Sequence, residues 1–166
     1  MRCSICLHTD DSCPHLEWAD GQSAEGLLGN FGPRTWTPIS SVPIVLAQPD
    51  TGVPVPGMSS NAYSGKVVLI KRGAIAFTTK VKNAQDHGAA AVVVYSNVEG
   101  EVAGMAGADA SITIPSMVIT QSCGETLRAA VTNGPVKVTM KPRIGDDELD
   151  KSCRSYSMSI VTRRRC

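Results

Sequence analysis

The residues best suited to chemistry crowd the start of the chain. Cys3, Cys6, Cys13 and His15 lie in "CSICLHTDDSCPH", and thiolates with an imidazole are the ligand types zinc prefers. Cys3 and Cys6 form a sound half-site. The second half is poor, because one residue separates Cys13 from His15 and the intervening loop is shorter than paired knuckles use. A zinc site is therefore the weaker reading, and no cofactor is expected. A redox Cys-x-x-Cys would open a helix after a strand, whereas this one stands at the chain start. There are six cysteines, and none lies between Cys13 and Cys123. A disulfide framework spaced that way would leave the middle of a fold unbridged, so reduced thiols are expected.

Hydrolytic machinery is sparse. The three histidines, His8, His15 and His87, offer no His-Glu-x-x-His pair for a zinc peptidase. Ser59 and Ser60 in "GMSSN" lack a nucleophile elbow. His87 follows Asp86 at the end of a helical pattern, where the dipole favours an imidazole without any catalytic role. No enzyme is expected. With a net charge of +1 and one basic run at Arg163 to Arg165, neither nucleic acid nor an anionic membrane is an expected partner. No apolar run reaches the ~20 residues of a membrane helix, and "MRCSICLHTDDSCPHLEW" lacks the apolar core of a signal peptide. There is no Asn-x-Ser/Thr sequon.

The elements that would position any site are legible in the aliphatic runs. Val67 to Lys71 and Ala89 to Tyr95 are continuous, as strands buried on both faces are. Between them Val81, Ala84 and Ala89 mark one helix face. Thr78 or Thr79 is the expected cap, Gly88 the stop, and Lys80, Lys82, Asn83, Gln85 and Asp86 are expected to face water. This is a βαβ unit. Downstream, Ile112 to Thr120 reads as a strand interrupted by Pro115. A second helix follows, with capping-box spacing at Ser122 and Glu125, an apolar face at Leu127, Ala130 and Val131, and a stop at Asn133 to Pro135. Val136 to Met140 alternates as a half-buried strand, and Val42 to Ala47 is another. Gln48 to Gly65 and the Gly/Ala-rich Glu99 to Ser111 are loops. The second follows a strand end, where α/β proteins place binding groups. "GDDELD" (145–150) reads as an acidic turn, and Ser155 to Thr162 as one extra strand.

Two motifs in this order resemble the protease-associated (PA) domain family. The first is Arg72, Gly73, Phe77, Lys80, Asn83, Ala84, Gln85, Gly88 and Ala89, running into "AAVVVYSN". The second is Ile114, Pro115, Ser116, Ile119, Gly124 and Leu127. "VPIVLAQPDTG" (42–52) is similar to the family's opening strand, and Phe31 to Pro33 to the segment before it. The resemblance implies an α/β fold of PA type, with mixed β-sheets in a swivelling β/β/α-like arrangement flanked by two short helices. Such domains usually accompany a peptidase or receptor body and are themselves non-catalytic. Many members carry a disulfide from the position of Ile75 to the loop at Thr51 to Pro56. Both halves are missing here, as a reducing compartment tolerates.

In sorting receptors that carry the domain, the Arg of the Arg-Gly motif helps hold a peptide. That implies a peptide site at Arg72 and Gly73, with Met105 and its loop as the other lip. A guanidinium at a strand end beside a glycine can bond peptide carbonyls or a carboxylate. The alternative is that Arg72 merely pairs with a surface acid. The expected organisation is a Cys-rich extension over residues 1–30, a PA domain over 31–141 and a tail over 142–166, enough chain for one core. The expected function is a non-catalytic protein or peptide interaction module, standalone and intracellular or a subunit of a larger assembly. The alternative is a fragment of a PA-containing peptidase or sorting receptor, in which case a secretory or endomembrane lumen is expected.

Overall fold

The computed structural model describes residues 2–3, 13–19, 21–100 and 102–142. Nine strands form a single mixed sheet: β1 (Arg2–Cys3), β2 (His15–Trp18), β3 (Gln22–Glu25), β4 (Leu27–Leu28), β5 (Ile39–Leu46), β6 (Val67–Lys71), β7 (Ala91–Tyr95), β8 (Ser116–Ile119) and β9 (Val136–Lys141), ordered β1-β3-β2-β9-β5-β6-β7-β8-β4. Two helices, α1 (Phe77–Asp86) and α2 (Gln121–Asn133), complete it. Strands β5 to β8 run parallel to one another, and antiparallel partners flank them on both sides.

The aliphatic runs explain this centre. In β6 and β7 the side chains alternate between two cores, because successive residues of a strand point to opposite faces. Val67, Leu69, Val93 and Tyr95 pack with Cys123 and Leu127 of α2. Val68, Ile70, Val92 and Val94 pack with Val81 and Ala84 of α1. One helix thus covers each face, which is why these strands carry no polar side at all. Helix α2 can approach closely because residue 124 is glycine: a Cβ there would lie 2.1 Å from that of Tyr95.

Several expectations change. The stretch from Ile112 is strand only from Ser116, since Pro115 has no N–H for the ladder and contributes its carbonyl, which accepts from Val92. Helix α1 starts at Phe77 behind Ala76, with no side-chain cap, so neither Thr78 nor Thr79 caps it. Helix α2 starts two residues earlier than the capping box placed it: Thr120 is the N-cap, and its hydroxyl accepts from the Cys123 N–H at 3.2 Å. The boundary at residue 31 cuts through the sheet. Strands β2 and β3 pair with each other, β2 continues onto β9, and β4 pairs with β8. Leu16, Trp18 and Ala24 are buried in the α2-side core. The expected acidic turn at 145–150 and strand at 155–162 lie outside the described residues.

Candidate functional site

The parallel strands β6 and β7 both end on the same side of the sheet, the side where α/β proteins keep their binding groups. There the chain turns at Arg72 to Ala76 and again after Ser96. Between the two turns lies a groove of about 520 Å³, lined by Arg72, Gly73, Ile75, Phe77, Asn97 and Val98. The Arg72 amide donates to the Tyr95 carbonyl at 2.9 Å, locking the first turn to the end of β7. Gly73 at φ +115° and Ala74 at φ +66° make that turn tight. Alanine resists positive φ, so surrounding contacts must hold it there.

Arg72 carries the groove's chemistry. Its Nη1 is shielded from solvent yet has no hydrogen-bond partner. Among the described residues Arg72 makes no ion pair, and Glu17, Asp86 and Glu125 each pair with another group. The reading in which it merely neutralises a surface acid therefore finds no acid among the described residues. A guanidinium with a free N–H edge, beside the Asn97 amide and the apolar Ile75, Phe77 and Val98, suits a carboxylate or carbonyl attached to an apolar group. Val98, 45% exposed, gives the groove an apolar rim.

Of the other residues singled out in the sequence, Gly73 belongs to this wall. Met105 does not. Its side chain is wholly buried in the α1-side core, which leaves it no surface with which to form a lip. Its carbonyl accepts from Asn30 instead. His87 caps α1 and donates from Nδ1 to the Asn83 carbonyl at 2.7 Å, with its ring edge-on to Tyr63. That is a structural role.

The N-terminal metal set also loses a member. Cys13 and Cys123 are each disulfide-bonded, so Cys13 has no thiolate to offer, and the expectation of reduced thiols fails for these two. His15 Nε2 contacts Glu17 at 3.3 Å, and Lys141 reaches the same carboxylate at 3.1 Å, holding it below its usual carboxylate range. The side chains of Cys3 and Cys6 lie outside the described residues. Among the described residues no three His, Cys, Asp or Glu side chains converge to hold a metal.

The residue that pattern reading missed most clearly is Lys80. Expected in water, it is fully buried. Its ammonium donates to the carbonyls of Gly73, at 2.6 Å, and Thr51. Desolvation lowers its pKa below the ordinary lysine value, partly offset by the nearby Asp50 carboxylate. Gln85 is likewise engaged. Its Nε2 donates to the Ser111 carbonyl at 2.8 Å and its Oε1 accepts from the Thr113 amide at 2.7 Å. Nothing local in the sequence distinguishes such residues from solvated ones, because their partners lie 7 to 31 residues away.

Comparison with known proteins now decides the family. A model of the PA domain matches residues 40–127. The chain belongs to the PA domain family. The match takes in the groove, both helix starts and the whole parallel centre. Curated relatives include Minor extracellular protease Vpr of Bacillus subtilis strain 168, 36% identical over 100 residues that make up 57% of this chain and 12% of that protein. Probable lipoprotein aminopeptidase LpqL of Mycobacterium tuberculosis strain H37Rv is 31% identical over 130 residues, 75% of this chain and 23% of that protein. Among solved structures, the aminopeptidase from Aneurinibacillus sp. strain AM-1 superposes with a TM-score of 0.61 at 29% identity, covering 80% of this chain and 31% of that one. The chain thus spans between an eighth and a third of the relatives it matches, and the shared part is their PA domain. No helix among the described residues is long and apolar enough to cross a membrane.

Proposed function

We propose that this chain is the PA domain of an exported peptidase, and that it takes part by holding peptide or protein in the Arg72 groove rather than by cleaving it. The observation that carries this reading is the free, solvent-shielded Nη1 of Arg72 in an apolar groove at the carboxyl ends of two parallel strands. A peptide carboxylate or carbonyl completes that guanidinium, and an aliphatic side chain covers Ile75, Phe77 and Val98.

The relatives favour the peptidase setting over a standalone intracellular module, because one is named an extracellular protease and another a lipoprotein aminopeptidase. The disulfide-bonded Cys13 and Cys123 agree with an oxidising compartment. The domain contributes no nucleophile and base in hydrogen-bonding reach of each other at the groove, whose lining is one guanidinium, one amide and apolar side chains.

The test uses the 166-residue chain and a library of fluorescein-labelled hexapeptides with free carboxyl ends. Wild type is expected to retain a subset by fluorescence anisotropy, and Arg72→Gln to lose about 1.5–3 kcal/mol of that binding, the range for a hydrogen bond to a charged group. Neither protein is expected to release p-nitroaniline from leucine p-nitroanilide. Undiminished peptide binding by Arg72→Gln would remove the groove from the proposal, and hydrolysis that tracks the purified chain would remove its non-catalytic part.

A further inference from the structure

The groove has a wall that does not hold itself up. Gly73 and Ala74 both have positive φ, a conformation that alanine adopts only at a cost because its Cβ crowds the backbone carbonyl. Within the turn only one short bond helps, from the Ile75 amide to the Gly73 carbonyl at 2.9 Å. The Arg72 amide ties its start to the Tyr95 carbonyl, and the side chain that reaches its strained part is Lys80, from the first turn of α1. Its ammonium has no exposed surface, touches no carboxylate, and spans two carbonyls that belong to different loops, Gly73 beside the groove and Thr51 after β5.

A buried ammonium is a costly way to fill a helix face. An apolar side chain of similar length would avoid the desolvation, and exchanging buried charge for packed hydrocarbon is often neutral or stabilising. A hydrocarbon cannot hold two carbonyl oxygens from separate loops at one point. We propose that Lys80 is the positioning residue of the groove: its ammonium clamps the Gly73 and Thr51 carbonyls and so keeps the 72–76 turn in the shape that seats Arg72. The functional part of this rests on the groove being the binding site. The second anchor is itself fixed. Gly52 at φ +69° packs on Ile70, its carbonyl accepts from Asn83 at 3.3 Å, and the Asp50 carbonyl accepts from the Lys71 amide at 2.7 Å. Lys80 therefore ties the positive-φ turn at Gly73 and Ala74 to a second turn that has its own anchors.

The ionisable group that Lys80 feels across the packed loops is Asp50, which lies in the rigid turn and favours the charged form. Lys82 and Asp86, on the outer side of the same helix, pair with each other. The clamp's charge thus depends on its own burial and on Asp50.

Three arms test it on the labelled 166-residue chain. Lys80→Met is expected to shift the amide resonances of residues 72–77 while those of α2 stay, and to weaken the tightest hexapeptide of the library about tenfold. Asn83→Ala, which removes the tie to Gly52 but none to Gly73, is expected to move only residues 50–53. In wild type the carbonyl ¹³C resonances of Gly73 and Thr51 are expected to titrate together, with a midpoint below the ordinary lysine value. A folded Lys80→Met whose residues 72–77 are unmoved overturns the proposal. Should that variant not fold, the carbonyls decide, and independent or absent titration of the two overturns it equally. If wild type binds no peptide, the reading of the groove as a binding site falls, while the resonances still decide whether Lys80 positions the turn.

Discussion

Tyr95 ends β7 with its ring in the α2-side core and its hydroxyl enclosed without a hydrogen-bond partner. Burial, helped by the Glu125 carboxylate, pushes its pKa up from the ordinary 10 to about 12. Because the folded value is the higher one, the phenol's contribution to stability is complete below pH 10 and is lost as the pH climbs toward 12. Tyr95→Phe removes a polar atom that has nothing to bond. It is expected to leave stability at pH 7 unchanged or raise it by about 1 kcal/mol, and to flatten the alkaline fall. Thermal melts followed by circular dichroism from pH 7 to pH 12 check both, and a variant that melts in parallel with wild type at every pH would refute the assignment. The opposite sign holds for Lys80. Its depressed pKa means that its burial opposes folding most while it is charged, so raising the pH relieves that cost.

At the scale of an element, both helices exist where periodicity put them, yet their starts and their polar faces obey neighbours. Thr120 caps α2 because β8 delivers it in extended geometry, φ −62° and ψ 160°, immediately before the first turn. Ser122 is already helical there, and its hydroxyl lies 3.3 Å from that of Thr120. Thr120→Ala is therefore expected to cost about 1 kcal/mol, measured by urea unfolding, and Ser122→Ala only a few tenths. The reverse order would restore the capping box. Helix α1 lacks a side-chain cap, and while Lys82 and Asp86 stay on its outer side, three of its other polar residues turn to neighbouring loops. Lys80, Asn83 and Gln85 each bond backbone groups of a separate loop. The helix thus serves as the post to which three loops are fastened.

Over the whole molecule, the N-terminal strands are part of the core. Leu16 is fully buried, and β2 closes the open side of β9 along four residue pairs. A chain beginning at residue 31, the boundary drawn from the extent of the family resemblance, would expose that edge and leave the α2-side core without Leu16, Trp18 and Ala24. It is expected to aggregate or to unfold without a cooperative transition, as size-exclusion chromatography and circular dichroism would show. Leu16→Ala in the intact chain is expected to cost about 2–5 kcal/mol, the range for emptying a packed leucine site. A truncated chain that melts cooperatively at the wild-type temperature would return these strands to the status of an extension.

The sequence by itself determined the parallel centre. Val67 to Lys71, Ala91 to Tyr95 and the helix between them are unmistakable because their signal is local: aliphatic runs, one apolar stripe and Gly88 to end it. Arg72 and Gly73 were singled out through the resemblance to the family's Arg-Gly motif, and the structure places both in the groove wall after β6. The short strands β2, β3 and β4 were not, since "HLEW", "QSAE" and "LL" hold too few residues for a period and become strands only by pairing with β9 and β8. Met105 and Lys80 changed places with respect to expectation, the thioether going inside a core and the ammonium inside a clamp of carbonyls. Which polar residue is buried depends on where unpaired carbonyls from distant loops converge, and only the tertiary structure brings those carbonyls together.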